Sequence, residues 1–275
     1  MSELTVIHLA RGSNGRVPLE RFLESYRAHN AGVAHQFLVV FKGYADQNTL
    51  TEHEALARTF GAETLRLARD DLFDIGAYHE ATREIDTRYV AFFNSFSEIL
   101  ADEWLARLYH GIRQEGVGLV GVTGSWESQT SNAFQLMRAQ PLPHLAILWL
   151  YKWRFSPHFP NPHIRTNGFI MQRDTFLALK SPQTRSKQLA WAFESGRSSM
   201  TRQIERQGLK VLVAGRDGRY FAASDWPQSA TYCANGQSNL IVQDNHTRKY
   251  GDGSTATRDE FQYRAWGKGA TADGA

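Results

Sequence analysis

Several side chains stand where they could do chemistry together. Asp70, Asp71 and Asp74 crowd into one short stretch. Three carboxylates buried side by side would repel, so at least one must point outward. Asn94-Ser95-Phe96 closes an apolar run, and Glu98 follows it. Two carboxylates of the second half can accept a proton from a hydroxyl: Glu194, within Phe193-Glu194-Ser195-Gly196-Arg197, and Asp174, after Arg173. The plain structural readings are a helix N-cap for Asp174 and a solvated pair with Arg197 for Glu194. His158 and His163 stand five apart in a proline-rich loop, a spacing that a zinc pair can use. The absences are as informative. There is no phosphate-binding Gly-x-x-x-x-Gly-Lys-Ser/Thr, and Gly12-Ser13-Asn14-Gly15 is not Gly-x-Gly-x-x-Gly. Gly124-Ser125-Trp126-Glu127-Ser128 lacks the second glycine of a nucleophile elbow.

The elements that must position these residues alternate. Short apolar runs at 4–9, 36–41, 63–67, 89–93 and 118–122 read as strands. Between them, 18–30, 49–60, 77–84 and 101–114 carry helical spacing. Strand and helix in turn favour an α/β sheet with parallel pairing, whose ligands sit at the carboxyl ends of the strands. The loops to watch therefore start at Arg11, Gly43, Asp70, Asn94 and Thr123. Further on, 166–171 and 209–213 read as strands and 187–207 as one helix. Prolines at 141, 143, 157, 160 and 162 argue against a long helix across 140–165. Residues 1–250 are expected to form one domain, with a first half at 1–125 and a second at 126–250. Polar residues 251–275 are read as a tail, partly mobile at its end.

The order strand, loop, helix, strand, then Phe73-Asp74-Ile75-Gly76-Ala77, then the strand Tyr89-Val90-Ala91-Phe92-Phe93, resembles GT-A nucleotide-sugar glycosyltransferases. The family 2 group and rhamnan-synthesis type proteins have a similar helix start before the strand that carries Asp-x-Asp, and the similarity covers roughly residues 4–215. The resemblance implies a GT-A-like, Rossmann-type mixed and mainly parallel sheet flanked by helices. It implies a donor half at 1–125 and an acceptor half at 126–250. Asn94-Ser95-Phe96 falls where the family carries Asp-x-Asp, whose carboxylates hold Mn²⁺ or Mg²⁺ against the donor diphosphate. Asn94 brings no charge, and hard cations prefer carboxylate oxygens. Glu98 and His246 are the substitute ligands, and metal dependence stays open. Metal-independent transfer, with Arg and Lys meeting the diphosphate, is the other course.

Glycosyl transfer needs a stabilised leaving group, a base for the acceptor hydroxyl and an aligned donor. The resemblance implies that the base is Glu194, with Asp174 as second choice; the family's Glu-Asp pair is Glu194-Ser195 here. Donor contacts are implied at Arg11, Gly12, Arg69, Asp70, Asp74, Gly76, Asn94, Ser95 and Arg202. The stretch 151–159 mixes aromatic and basic residues. Aromatic faces stack on sugars and Arg binds phosphate, so an acceptor loop fits, with Trp126, His158, His163, Arg165 and Asn167 as acceptor contacts.

Composition bounds the alternatives. The 275 residues are 42% hydrophobic and 21% charged, a globular balance, with a net charge of +3. That small excess speaks against a nucleic-acid partner, although single strands can use the same aromatic and basic residues. The lone Cys233 excludes an intrachain disulfide and a multi-cysteine zinc site. With no leader or spanning segment recognised, a cytoplasmic protein is expected, with peripheral membrane contact and oligomeric state open. The expected activity is inverting transfer of a sugar from a nucleotide-diphosphate donor to a glycan or lipid-linked acceptor, in bacterial surface polysaccharide synthesis. The competing class is a GT-A-like module that binds glycan or nucleotide without turnover.

Overall fold

The computed structural model describes residues 2–68, 73–139, 142–180 and 187–268. The first half runs β1 (Leu4–Arg11), α1 (Arg16–Ala28), β2 (Gln36–Lys42), α2 (Gln47–Thr59), β3 (Glu63–Arg66), α3 (Phe73–Arg83), β4 (Tyr89–Phe93), β5 (Glu98–Ile99), α4 (Trp104–Ile112) and β6 (Val117–Gly121). The second runs β7 (Gly124–Ser125), α5 (Gln129–Ala139), α6 (Pro143–Phe155), β8 (His163–Ile164), β9 (Gly168–Gln172), α7 (Arg173–Ala178), α8 (Lys187–Ser195) and α9 (Met200–Arg206). It ends with β10 (Lys210–Ala214), β11 (Tyr220–Phe221), β12 (Val242–Gln243), α10 (Asn245–Gly251) and α11 (Thr255–Trp266).

Eight strands form the central sheet in the order β11-β10-β6-β9-β4-β1-β2-β3. β3, β2, β1 and β4 run parallel, as do β6 and β10. β9 lies antiparallel between β4 and β6. The sheet is mixed and mainly parallel, as the alternation of elements required. Burial on both faces explains the unbroken apolar runs. In β1, Val6 and Ala10 join the core under α1, α2 and α4, while Ile7 and Leu9 join the core under α3, α7 and α9. β9 starts where its neighbours end, so the loop before it meets the carboxyl ends of β4 and β6.

Four readings change. α6 is a 13-residue helix inside the proline-rich stretch. Pro143 occupies its first turn, where a missing N–H costs no hydrogen bond, and the next proline comes only after the helix ends. The helix read over 187–207 is two, α8 and α9. At Gly196 a Cβ would lie 2.4 Å from the Ala192 carbonyl oxygen, and Ser199 caps α9 by accepting from the Arg202 N–H. The break also removes the Glu194–Arg197 pair; Arg197 lies over the Trp153 ring instead. Finally, most of the stretch read as a tail is helical, and its end at 269–275 lies outside the described residues. α11 buries Trp266, whose Nε1 donates to the Tyr232 carbonyl.

Candidate active site

One wall of the site is built by β7 and β8, which pair Gly124 with Ile164 and Ser125 with His163. Alternation along a strand puts His163 and Arg165 on one side and Ile164 in the core, where it is fully buried. Gly124 is dictated by packing, because a Cβ there would lie 2.4 Å from the Trp226 ring. The Arg165 N–H donates to the Thr123 carbonyl, and its guanidinium donates to Asp244 at 2.6 Å. The same guanidinium lies 4.2 Å above the Tyr232 ring. Asp244 is almost fully buried. Burial works to raise its pKa, but the Arg165 guanidinium and the Thr247 N–H hold it below the usual carboxylate range. For Arg165, burial works downward, and the Asp244 carboxylate, the Tyr232 phenol and the Glu194 carboxylate together more than offset it, so the guanidinium stays charged.

His163, Arg165 and Tyr232 line a cavity of about 370 Å³ together with Ser125, Glu127, Gln129, Trp191, Glu194, Ser195 and His246. Glu194 stands on the last turn of α8. Its Oε1 accepts from the Thr166 N–H at 2.9 Å and the Thr166 hydroxyl at 3.0 Å. Among the described residues, no hydrogen bond reaches Oε2. His163 is buried; its Nδ1 lies 2.8 Å from the Asn161 carbonyl. Burial lowers its pKa, against the pull of the Glu194 carboxylate. Tyr78 of α3 is wholly buried, and its hydroxyl finds no partner among the described residues. Burial, then the fields of Asp74 and Glu194, raises its pKa well above the ordinary value.

The donor-side candidates gather at the carboxyl ends of β1 and β2. Arg11 is in register with Lys42. The buried Lys42 ammonium lies 4.0 Å from Asp74 in the first turn of α3. Gly12 is required by close approach, since a Cβ would lie 2.4 Å from the Gly43 carbonyl oxygen. Gly76 is half-buried inside α3. Arg69 and Asp70 lie outside the described residues. Arg202 is not among the residues that line the cavity and donates to Asn161 Oδ1 at 3.2 Å.

The candidates for metal ligation are otherwise engaged. Asn94 Oδ1 accepts from the Phe96 N–H at 2.9 Å, which makes it the residue that turns the chain after β4. Ser95 beside it is buried. Glu98 is held by Arg248 at 2.9 Å, with Arg21 at 3.7 Å, and Arg248 also donates to the Phe96 carbonyl. His246 lines the cavity, but no group of three His, Cys, Asp or Glu able to hold a metal occurs among the described residues. With its carboxylate neutralised and its amide oxygen committed, the end of β4 does not fit a divalent ion.

On the acceptor side, His163 and Arg165 line the cavity. Trp126 is structural: its Nε1 donates to the Ala223 carbonyl and its ring meets Trp266. Asn167 is buried, with Oδ1 accepting from the Thr123 hydroxyl. His158 is exposed and His163 is committed to Asn161, so the two form no zinc pair. Asp174 is exposed, is not the cap of α7, pairs with Arg173, and sits where β9 ends beside the start of β4. That is the opposite end of the sheet from the cavity. Sequence reasoning missed Glu127 and Tyr232 as lining residues. Glu127 follows a strand end already marked at Thr123. Tyr232 lies in a loop where Ala230, Cys233, Asn235 and Gln237 all take positive φ. Nothing in their residue types announces that.

No protein-family model matches the chain, and no curated protein matches it. Solved structures do. GalNAc-T7 with UDP, GalNAc and Mn²⁺ is similar at a TM-score of 0.51 and 11% identity, over 77% of this chain and 41% of that one. The chain has a GT-A fold. The mannosyltransferase PcManGT from Pyrobaculum calidifontis, with GDP-Man and Mn²⁺, matches at a TM-score of 0.48 and 13% identity, over 83% of this chain and 59% of that one. Glucosyl-3-phosphoglycerate synthase from Mycobacterium tuberculosis matches at 0.39 and 16%, over 65% and 58%. The GT-A chain thus spans between 41% and 59% of the length of these three.

Proposed function

We propose that the protein is an inverting glycosyltransferase that moves a sugar from a nucleotide-diphosphate donor to a hydroxyl of a glycan or lipid-linked acceptor. The observation that carries this reading is Glu194: one oxygen fixed by Thr166, the other without a hydrogen bond among the described residues, on the wall of a polar cavity at the carboxyl ends of a GT-A sheet. In the reaction, the acceptor oxygen bonds to the anomeric carbon while its proton passes to Glu194 Oε2. The bond from that carbon to the diphosphate breaks, and the diphosphate leaves with the electron pair. Thr166 fixes the carboxylate for this step. Arg165, kept charged and aimed by Asp244 and Tyr232, supplies N–H donors on the cavity wall.

Arg11, Gly12, Lys42 and Asp74 form the donor side in this reading. The bound UDP and GalNAc of GalNAc-T7 support a nucleotide-sugar donor. The surface-polysaccharide setting is supported only by the resemblance to family 2 and rhamnan-synthesis type enzymes. No step here runs through a metal, because the residues at the end of β4 do not fit one.

Thermal unfolding against a panel of nucleoside diphosphates and nucleotide sugars, with Mn²⁺ or with chelator, tests the reading. A donor at 100 times its dissociation constant adds about 2.7 kcal/mol. A shift selective for one base, equal in chelator and Mn²⁺, is the expected result. No shift with any donor would favour the binding module without turnover.

A further inference from the structure

α5 and α6 pack against one another as a hairpin beside the cavity, and their outer face is apolar. Among the described residues, every exposed large hydrophobic side chain except Val17 and Tyr263 belongs to this hairpin or to the residue just before α6. Along α6, Leu145, Trp149 and Lys152 turn inward, with Trp149 against Phe134 and Lys152 over Trp191. At complementary helical spacing, Ile147 is 70% exposed and Leu150 57%, with Trp153 at 45%. Leaving such a stripe in water is unfavourable, and patches of this kind mark interaction surfaces. Charge says which surface. No Asp or Glu occurs between Glu127 and Asp174, whereas Arg138, His144 and Arg154 stand exposed on the hairpin.

We infer that the α5–α6 hairpin docks the protein onto an anionic phospholipid surface. Ile147, Leu150 and Trp153 enter the boundary between headgroups and acyl chains, and Arg138 and Arg154 meet lipid phosphates. α6 is about 20 Å long, less than the ~30 Å of a bilayer core, so it lies on the membrane. No helix among the described residues is long and apolar enough to cross one. Gln129 at the start of α5 also lines the cavity, so docking brings that opening to the lipid surface. The inference rests on the exposed face and not on the transfer reaction.

Flotation with vesicles of equal parts phosphatidylglycerol and phosphatidylcholine, with no donor present, tests it. The whole chain should float with these vesicles, more weakly with pure phosphatidylcholine, and less as salt rises. Tryptophan emission should shift to the blue on binding. The double substitution Ile147→Glu with Leu150→Glu should lower vesicle binding by roughly tenfold or more. Both sites are exposed, and circular dichroism should report an unchanged fold. Arg138→Gln with Arg154→Gln should remove the preference for anionic lipid. Failure of the unaltered protein to bind these vesicles, or equal binding by the Glu variant, overturns the inference. So does a dimer in light scattering that the Glu variant abolishes while vesicle binding is absent, since the face would then join two copies.

Discussion

The end of β4 and the wall of the cavity hold similar residues and use them differently. At the end of β4, Asn94 spends its amide oxygen on turning its own chain, and Glu98 lies between Arg248 and Arg21. On the cavity wall, Glu194 has one oxygen tied to Thr166 and the other unbonded among the described residues. Each carboxylate keeps one oxygen without a hydrogen bond among the described residues, but Glu98 is paired with two arginines, whereas Glu194, on α8, has no ion pair among the described residues and faces the cavity. The type of a residue and its place in the chain nominate it; the charges that neutralise it and the space it faces decide whether it can act.

That contrast is sharpest in activity. Glu194→Gln keeps the size and the Thr166 contacts to Oε1 but removes the base, so transfer should fall by roughly 10²–10⁴-fold with donor binding unchanged. Glu98→Gln should leave transfer within about twofold and cost about 1 kcal/mol or less, as partly exposed pairs do. The pairing of Arg165 with Asp244 is the buried counterpart. Asp244→Asn leaves the guanidinium without its charge partner, and urea unfolding should register a loss of about 3 kcal/mol or more.

Histidines extend the same contrast into pH. His163 on the cavity wall has a partner for Nδ1, whereas both nitrogens of buried His8 lack one among the described residues and its ring stacks on Phe22. Burial pushes His8 down to about 3 and His79 down to about 4, the latter helped by Arg83. A folded pKa below the unfolded 6.5 means the unfolded chain binds protons first. The stability these groups contribute is complete above pH 6.5 and is lost as pH falls toward 4. Each should add a slope of about 1.4 kcal/mol per pH unit in that window, and His8→Leu should remove one of the two slopes in urea titrations. The smallest effect is expected at Asn94→Ala, about 1 kcal/mol from the lost turn bond, measured by thermal unfolding in chelator.

The central sheet was legible because parallel strands buried on both faces read as unbroken apolar runs, as in β1, β2 and β4. Glu194, nominated by its order after β9, lies on the cavity wall. What stayed hidden depends on partners far along the chain. Glu98 looked available until Arg248 arrived from 150 positions away. Tyr232 reaches the cavity through a loop of positive-φ residues that carry no glycine signal at Ala230, Cys233 or Gln237. α6 was misread because five prolines were weighed together, although Pro143 opens a helix. α11 was missed because its first half is polar, and its anchors are Phe261, Ala265 and Trp266 toward its end.

The most direct test of the account is release of nucleoside diphosphate from a nucleotide-sugar series, comparing the unaltered protein with Glu194→Gln. Turnover by the unaltered protein that drops at least ~10²-fold in the variant, with the donor-induced thermal shift preserved in both, is the predicted result. A variant that releases diphosphate at the unaltered rate would contradict it and remove Glu194 from the chemistry.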